Sequence, residues 1–481
     1  MIGPSKLESI FEIKESQWRM GPGRLMSELK SPHADSKDCV LYDVVHRKGR
    51  EASLELLDRA GIRGRAGGGF PTGHKWWLVS SAEAPEKFFV CNANLAEPGR
   101  GKESWLILAD PAKVVEAVAI GAFCAGAHRG YIALPEHARA EIAALEGALD
   151  SAYQAGLLGK DVFSSGYELE LTLVKTPPAH LAGEETALME FIEGKALQPR
   201  KKPPLPTSAG LFGKPTAINN LETVLQCRYA LKVGAQAYRS MGTPEAPGTM
   251  IFSLWGRVNQ PGLYELPLGT TLRELIVTSG GSMHADTELK GVFPGGIGSP
   301  MLKRDALDTP LEFDSLRDAG SDLGSGVVIV IGEDTCAVEL ASRLARFFHD
   351  ASCGKCAPCK DGTARTYTML SRIDQLDRPS VDLPVESLPA SKRKPQPQLT
   401  ILNNLARGIS YTDSAQGLDK ISLLCEFFKY RGDCHHSTEA AGSVMSLLNA
   451  FPEEFNQHML HGMCKAPELE GARGPAMTVV G

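Results

Sequence analysis

The chain has 481 residues, enough for roughly three domains, and 43% hydrophobic with 22% charged residues is the content of a globular protein. Lys+Arg 51 against Asp+Glu 57 leave a net charge of −6, which excludes a basic nucleic-acid binder as a first reading. The most apolar stretch, 105–127, is interrupted by Asp110, Lys113 and Glu116, and the N-terminus lacks the apolar core of a signal peptide, so a cytoplasmic chain without a membrane span is expected.

Residues 1–60 read as a polar lead-in that ends in a helix over 51–60. A glycine-dense loop follows at 61–73, Gly-Ile-Arg-Gly-Arg-Ala-Gly-Gly-Gly-Phe-Pro-Thr-Gly, with Lys75 just beyond it. The apolar run 88–90 predicts a buried strand that feeds a loop over 91–103. Helical spacing marks 111–126 and 137–155, and 131–134 reads as a strand between them. Tyr167, Leu169, Leu171 and Leu173 alternate with Glu168, Glu170 and Thr172, the period of a half-buried strand. A helix over 184–193 and another over 221–233, with a Pro- and Lys-rich loop between, complete a mixed α/β domain at 61–240. Short β-rich pieces at 251–255, 262–266 and 327–331 surround one helix at 272–279, which predicts a β-grasp-like insert over 249–332. From 335 to 465 the chain turns helical, with Val338, Ala341, Leu344 and Phe348 on one face. A Pro-rich insertion at 377–397 is expected to be disordered, and 466–481 forms a tail.

A tight cysteine cluster in a chain without an export signal points to metal rather than to a disulfide framework. Cys353-Gly-Lys-Cys356-Ala-Pro-Cys359 sets three thiolates at a two-residue spacing, the local pattern of a [4Fe–4S] site. Lys-Asp-Gly follows Cys359, so a fourth ligand must come from elsewhere. Cys434, just ahead of a helical segment at 440–451, is the choice, with His435, His436 and Cys425 as alternatives. Cys425 lies in Leu-Leu-Cys-Glu-Phe-Phe, the setting of a buried and inert thiol. Structural zinc competes, but such sites usually pair two CxxC knuckles.

The glycine loop, with Arg63, Arg65 and Lys75, suggests backbone amides turned toward an anion. It is neither a dinucleotide fingerprint nor a P-loop, and a tight turn with a solvated basic edge is the plainer reading. Gly183-Glu-Glu-Thr186 opens a helix, where Glu184 and Glu185 either satisfy its dipole or accept from the hydroxyl and amide groups of a polar ligand. Asn219, Asn220 and Thr223 add further polar partners.

Together, and in this order, the glycine loop, Gly183-Glu-Glu-Thr186, Gly213-Lys-Pro-Thr216 with Asn219-Asn220, and the cysteine triplet resemble the NADH-oxidising flavoprotein subunit (51 kDa type) of respiratory complex I. The same module serves as diaphorase in NAD-linked hydrogenases and formate dehydrogenases. The resemblance covers about residues 20–465 and implies an FMN-binding α/β domain, a β-grasp insert of the soluble-ligand-binding type, and a C-terminal helical bundle with one [4Fe–4S] cluster. It implies Cys434 as fourth cluster ligand. For FMN it implies Gly64, Arg65, Gly67 and Lys75 from the loop, Asn92, Gly183 and Glu184, and Asn219, Asn220 and Thr223, and Asn94 in the loop after Asn92 is a further candidate cofactor-binding residue. For NADH as substrate it implies Phe70, Glu97, Glu185 and Lys202, with Glu97 and Glu185 orienting the dinucleotide.

Departures concentrate on the nicotinamide side. Asn94 and Leu95 stand where the family has Asp and Glu, Gly101 where it has Phe, and His180 where it has Tyr. Leu78 and Leu205 replace two aromatics that stack on adenine in relatives, and each loss removes about 1 kcal/mol of stacking. The resemblance therefore predicts an electron-transfer subunit working between NAD(H) and iron–sulfur partners through flavin. The alternative is a module that keeps FMN and cluster but no longer binds a nicotinamide. Arg100 near Glu97 suggests a third option, preference for NADPH. Relatives place a thioredoxin-like [2Fe–2S] domain beside this module, so a separate small subunit and further iron–sulfur or catalytic subunits are expected partners.

Overall fold

The computed structural model describes residues 19–20, 23–30, 39–94, 96–374 and 414–461; the expected insertion at 377–397 and tail at 466–481 lie outside them. The first half begins with β1 (Arg19–Met20), α1 (Arg24–Lys30), α2 (Gly49–Ala60) and α3 (Thr72–Ser81). Strands and helices then alternate as β2 (Phe88–Asn92), α4 (Lys102–Ala109), α5 (Pro111–Ala125), β3 (Arg129–Pro135), α6 (Arg139–Gln154), β4 (Glu170–Thr176), α7 (Glu185–Ile192), β5 (Thr216–Asn220) and α8 (Leu221–Val233).

Strands β2 to β5 form one parallel sheet in the order β4-β3-β2-β5. A parallel sheet needs cover on both faces, which explains the unbroken apolar run of β2. Phe89 and Cys91 enter the large core with Val118, Ile120 and Ala122 of α5, while Phe88 and Val90 pack against Leu188, Met189 and Leu211 on the other face. α5 itself is bounded by local chemistry. The Asp110 carboxylate accepts from Lys113 N at 2.9 Å, Pro111 fills the first position, and Gly126 closes the helix at φ 71°. β4 begins at Glu170, three residues after the alternation starts, because 159 and 169 pair by themselves in an isolated antiparallel bridge.

The second sheet holds β6 (Thr249–Gly256), β7 (Gly262–Pro267), β8 (Leu289–Phe293), β9 (Leu302–Lys303) and β10 (Val327–Gly332), with β1 at its edge, in the order β1-β7-β6-β10-β8-β9. The expected helix at 272–279 is a widened π-type turn over Glu274–Ser279. Alternation along β10 decides how the halves join. Val328 and Val330 face a small core with Phe252, Leu254 and Leu275, whereas Val327, Ile329 and Ile331 face the C-terminal helices. Those helices are α9 (Ala337–Asp350), α10 (Ala357–Asp374), α11 (Ser414–Lys429), α12 (His436–Ala450) and α13 (Pro452–His461). Val338, Ala341, Leu344 and Phe348 of α9 all enter that shared core, as their spacing predicts. No helix among the described residues is long and apolar enough to cross a membrane.

Candidate functional site

The chain runs from β2 outward through β3 and β4, then returns to place β5 on the other side of β2. The strand order therefore reverses between β2 and β5, and in such sheets ligands bind beyond the carboxyl ends at this point. The register puts Cys91 beside Asn219 and Asn92 beside Asn220 there. Asn92 Nδ2 donates to the Gly183 carbonyl at 2.9 Å, and its Oδ1 accepts from Asn94 N at 3.1 Å. Asn94 in turn accepts from Ala96 N at 3.0 Å. Asn220 caps α8, accepting from Glu222 N at 3.0 Å and donating to Glu103 Oε1 at 2.8 Å. The amide oxygen of Asn219 is taken by the indole N–H of Trp76 at 2.9 Å, so this residue fixes α3 to the sheet.

The glycine loop closes on itself through Gly64 N to Phe70 O at 3.1 Å and Thr72 N to Ile62 O at 2.8 Å. A Cβ on Gly67, at φ 77°, or on Gly68 would meet nothing within 4 Å, so this stretch of backbone faces open space. At Gly69 a Cβ would lie 2.5 Å from the Phe313 ring, which requires glycine. Arg65 departs from its expected role. Its guanidinium is fully buried on the carbonyls of Arg63, Pro247 and Thr249 and on the Tyr238 hydroxyl, each at 3.0 Å. It cannot reach a phosphate; only its backbone remains at the loop, with Arg65 N donating to Thr223 Oγ1 at 2.8 Å. Sequence reasoning missed the cation beneath. Lys102, 1% exposed, donates to Glu222 Oε2 at 2.7 Å and to the Arg65 carbonyl at 3.1 Å.

Lys75 donates to the Ile218 carbonyl at 3.1 Å, and burial pushes its amine below the usual lysine range. The Glu184 carboxylate caps α7, accepting from Thr186 N at 2.9 Å and Ala187 N at 2.7 Å, which is the dipole-satisfying role. Glu185 instead pairs with Lys202 at 2.5 Å, and Lys202 also reaches Glu184 at 3.4 Å. Phe70, 49% exposed, stands two residues ahead of α3 and its ring lies 6.1 Å from that of His74, which stacks on Trp77 at 5.7 Å. This exposed aromatic stripe was not anticipated; the spacing 70, 74, 77 is its signal. Leu78, next to it, lines a 470 Å³ cavity with Thr207, Ser208 and Lys214. Leu205 stands 54% exposed. Burial pushes the Glu97 carboxyl up, against the opposing charge of Arg100. Arg100 turns inward onto Glu103 at 2.7 Å with 10% of its side chain exposed, so it is not presented to a 2′-phosphate.

The cysteine triplet begins just after α9, in a turn with Gly354 at φ 71°, and Cys359 lies in the first turn of α10. Cys434 sits two residues before α12, and the packing of α12 on α9 returns it to the triplet. The Cys356 thiol, hydrogen-bonded by Cys359, is lowered to about 6, and burial raises Cys434 to about 12, with Cys353 and Cys356 adding to the rise. Of the alternative ligands, Cys425 is fully buried against Thr366, its thiol raised by burial to about 12, and His436 is held by the Phe348 carbonyl at 2.7 Å. Lys355 lies near this centre but binds the Pro199 carbonyl and approaches Asp433 at 3.8 Å.

Four convergent thiols fit an iron–sulfur cluster by donor type and number. The sheet edge fits a polar, anionic ligand. Open glycine backbone adjoins it, and Arg100 Nε, Glu103 Oε2 and Thr176 Oγ1, at the end of β4, are buried without hydrogen-bond partners. Residues 57–228 match the Nuo51 FMN-binding domain, 251–292 the SLBB domain, and 339–386 the iron–sulfur binding region of NADH-ubiquinone oxidoreductase F. The chain is 40% identical over 330 residues to the F 2 subunit of NADH-quinone oxidoreductase from Rhizobium meliloti (strain 1021), covering 69% of this chain and 78% of that one. It is 32% identical over 455 residues to the corresponding F subunit from Streptomyces coelicolor, covering 92% and 93% respectively. A chain of a crystallised NAD+-reducing [NiFe]-hydrogenase in its H2-reduced state superposes with a TM-score of 0.76 at 25% identity, covering 94% of this chain and 71% of that one. The chain belongs to the family of NADH-quinone oxidoreductase F subunits, flavoproteins that join an FMN-binding α/β domain and an SLBB domain to a helical [4Fe–4S] region.

Proposed function

We propose that this chain is the flavin-bearing electron-entry subunit of a cytoplasmic, hetero-oligomeric oxidoreductase, exchanging electrons with NAD(H) and passing them to iron–sulfur partners. The reading is supported by the matches of residues 57–228 and 339–386 to an FMN-binding domain and an iron–sulfur binding region, and by the influence of the Glu184 carboxylate, at the start of α7, on the Cys434 thiol. FMN, when bound, accepts two electrons from a nicotinamide and releases them singly to the cluster. The residues of this chain hold and orient. Asn92, Asn94, Gly183, Glu184 and Asn220 offer amide and carboxylate groups at the sheet edge, and Gly64 and Gly67 let backbone approach closely. Lys75 sets a cation behind the edge, and Thr223 secures the glycine loop by its bond to Arg65 N. Phe70, Glu97, Glu185 and Lys202 orient the dinucleotide. Cys353, Cys356, Cys359 and Cys434 bind the cluster. A small thioredoxin-like [2Fe–2S] protein and further iron–sulfur or catalytic subunits receive or supply the electrons.

The test is anaerobic purification of the complex, with FMN and iron measured per chain and NADH-dependent dye reduction assayed. Glu185→Gln should retain flavin and impair NADH turnover, and normal turnover by that variant removes Glu185 from the role. A second reading, transfer between protein partners without a nicotinamide, is favoured by Leu78, Leu205 and Asn94 at positions that differ from the family. Flavin and iron at full occupancy with no turnover of NADH or NADPH would establish it.

A further inference from the structure

One polar cluster adjoins the proposed nicotinamide residues without a role assigned to it: His180, at a position that departs from the family, and Glu439 both lie close enough to Glu97 to shift its carboxyl. His180 belongs to the short turn His180–Gly183 ahead of α7, whereas His436 and Glu439 lie three residues apart on the same face of α12. Ligating atoms of the three side chains lie within 4.8 Å of one another, and His180 Nε2 is 3.6 Å from Glu439 Oε2. Bond lengths of about 2.0–2.2 Å place tetrahedral zinc ligands about 3.3–3.6 Å apart, so the His180–Glu439 spacing already suits a shared cation.

The tautomer of His436 gives an independent pointer. Its Nε2 lies 2.7 Å from the Phe348 carbonyl, which can only accept, so Nε2 carries the proton. Nδ1 is then the lone-pair nitrogen, and it is buried, in a residue 4% exposed, without a hydrogen-bond partner. An imidazole that donates one N–H to a backbone carbonyl and offers the other nitrogen unpaired is the arrangement found at metal-ligating histidines. His180 and Glu439 are less buried, with side chains 21% and 37% exposed, which leaves a path for an ion and room for water in a further position.

We propose that His180, His436 and Glu439 form a binding site for a divalent transition-metal ion, separate from the cluster, that ties the turn before α7 to α12. Two imidazoles and one carboxylate suit zinc or ferrous iron and match neither calcium nor magnesium, which take oxygen ligands. The site is distinct from the four thiols in donor type, and its ion bridges the FMN-bearing half and the helical half of the chain.

The test uses the complex with cluster and flavin in place, so that the thiols are already engaged. It is incubated with zinc chloride, desalted, and zinc is measured by mass spectrometry beside iron and FMN. The expected result is about one zinc per chain, falling at least tenfold in His180→Gln and in Glu439→Gln while iron and FMN are retained. X-ray absorption at the zinc edge of the unmutated complex should show nitrogen and oxygen neighbours and no sulfur. Absence of retained zinc, equal zinc in the variants, or sulfur in the zinc shell overturns the assignment. The absorption measurement decides the matter even if a variant loses its cofactors.

Discussion

Replacing Lys102 by Met tests whether one buried ion pair supports the flavin site. The Nζ is the shared partner of Glu222 Oε2 at 2.7 Å and of the Arg65 carbonyl at 3.1 Å, and both carboxylate and amine are buried. Met keeps most of the stem volume, so the change removes charge and hydrogen bonds with little cavity. Glu222 is left ionised in the interior with Ile251 N, at 2.8 Å on its other oxygen, as its remaining partner. Removing one member of a buried pair costs about 3–5 kcal/mol. At about 2–4 °C per kcal/mol for a domain of this size, the unfolding midpoint should fall by about 6–20 °C. The loss should extend to flavin, because Arg65 N holds Thr223 one residue beyond Glu222 and its carbonyl is the anchor lost. The assay is thermal unfolding followed by flavin fluorescence, for Lys102→Met, Glu222→Gln and the double variant. The double variant should be more stable than the sum of the single losses predicts, by about 1–3 kcal/mol. Strict additivity, or a Lys102→Met midpoint within about 2 °C of the parent, would refute the reasoning.

Cys434→Ser should strip iron from the centre. Cys425→Ser should keep the iron and lose about 1–3 kcal/mol of stability, since a hydroxyl replaces a thiol in a fully buried apolar site; iron loss in the second variant but not the first would reverse the assignment. Leu78→Phe has space in the adjoining 470 Å³ cavity and should lower the KM for NADH by about 2–12-fold, the worth of one stacked ring, with kcat little changed. An unchanged KM in steady-state assays would show that adenine does not lie there. The Glu28 carboxyl, raised by burial but lowered further by Arg228 and Lys232, ends below its ordinary 4.5. Its stabilisation is therefore complete above about pH 4.5 and is lost as pH falls through the lower native value. Glu28→Gln should remove that part of the acid dependence of the unfolding midpoint, and an identical pH profile would count against it.

Much of this was legible because period and motif coincide. β2 shows as an apolar run, α9 as a four-residue stripe, and the cysteine triplet as a local pattern that needs no tertiary information. β1, β5, β8, β9, α3 and α4 were not foreseen. α3 exposes His74 and Trp77 while burying Trp76 and Val79, so its pattern carries aromatics on both faces, and its first turn overlaps the glycine loop that reads as irregular. α4 hides Lys102 and Glu103, two charges whose burial is intelligible only once Glu222, Arg100 and Asn220 are seen beside them. Arg65 misled for the same reason. A basic residue in a glycine loop suggests phosphate, and the four acceptors that claim it arise from segments up to 184 residues away.

The polar residues of the sheet edge have two employments, and this bears on how the site is built. Asn92, Asn94, Asn220 and Glu184 each spend one oxygen on backbone N–H groups, of Asn94, Ala96, Glu222 and of Thr186 and Ala187 respectively. Asn220 and Glu184 cap helices by these bonds, so the loops are held in shape by side chains at the strand-order reversal. A ligand arriving there finds its partners fixed, and binding energy is not drawn down by ordering loops. These residues are constrained for a structural reason as much as a chemical one, because alanine at any of them would leave helix or loop N–H groups unpaired before any cofactor was lost. The nicotinamide-side positions Leu78 and Leu205 carry no such second duty; an apolar side chain that stands half in solvent, as Leu205 does, can change without disturbing the fold. That asymmetry fits the placing of most departures on the side that the resemblance assigns to the dinucleotide; Asn94, which departs at the sheet edge, keeps an amide oxygen for the same backbone bond to Ala96 N.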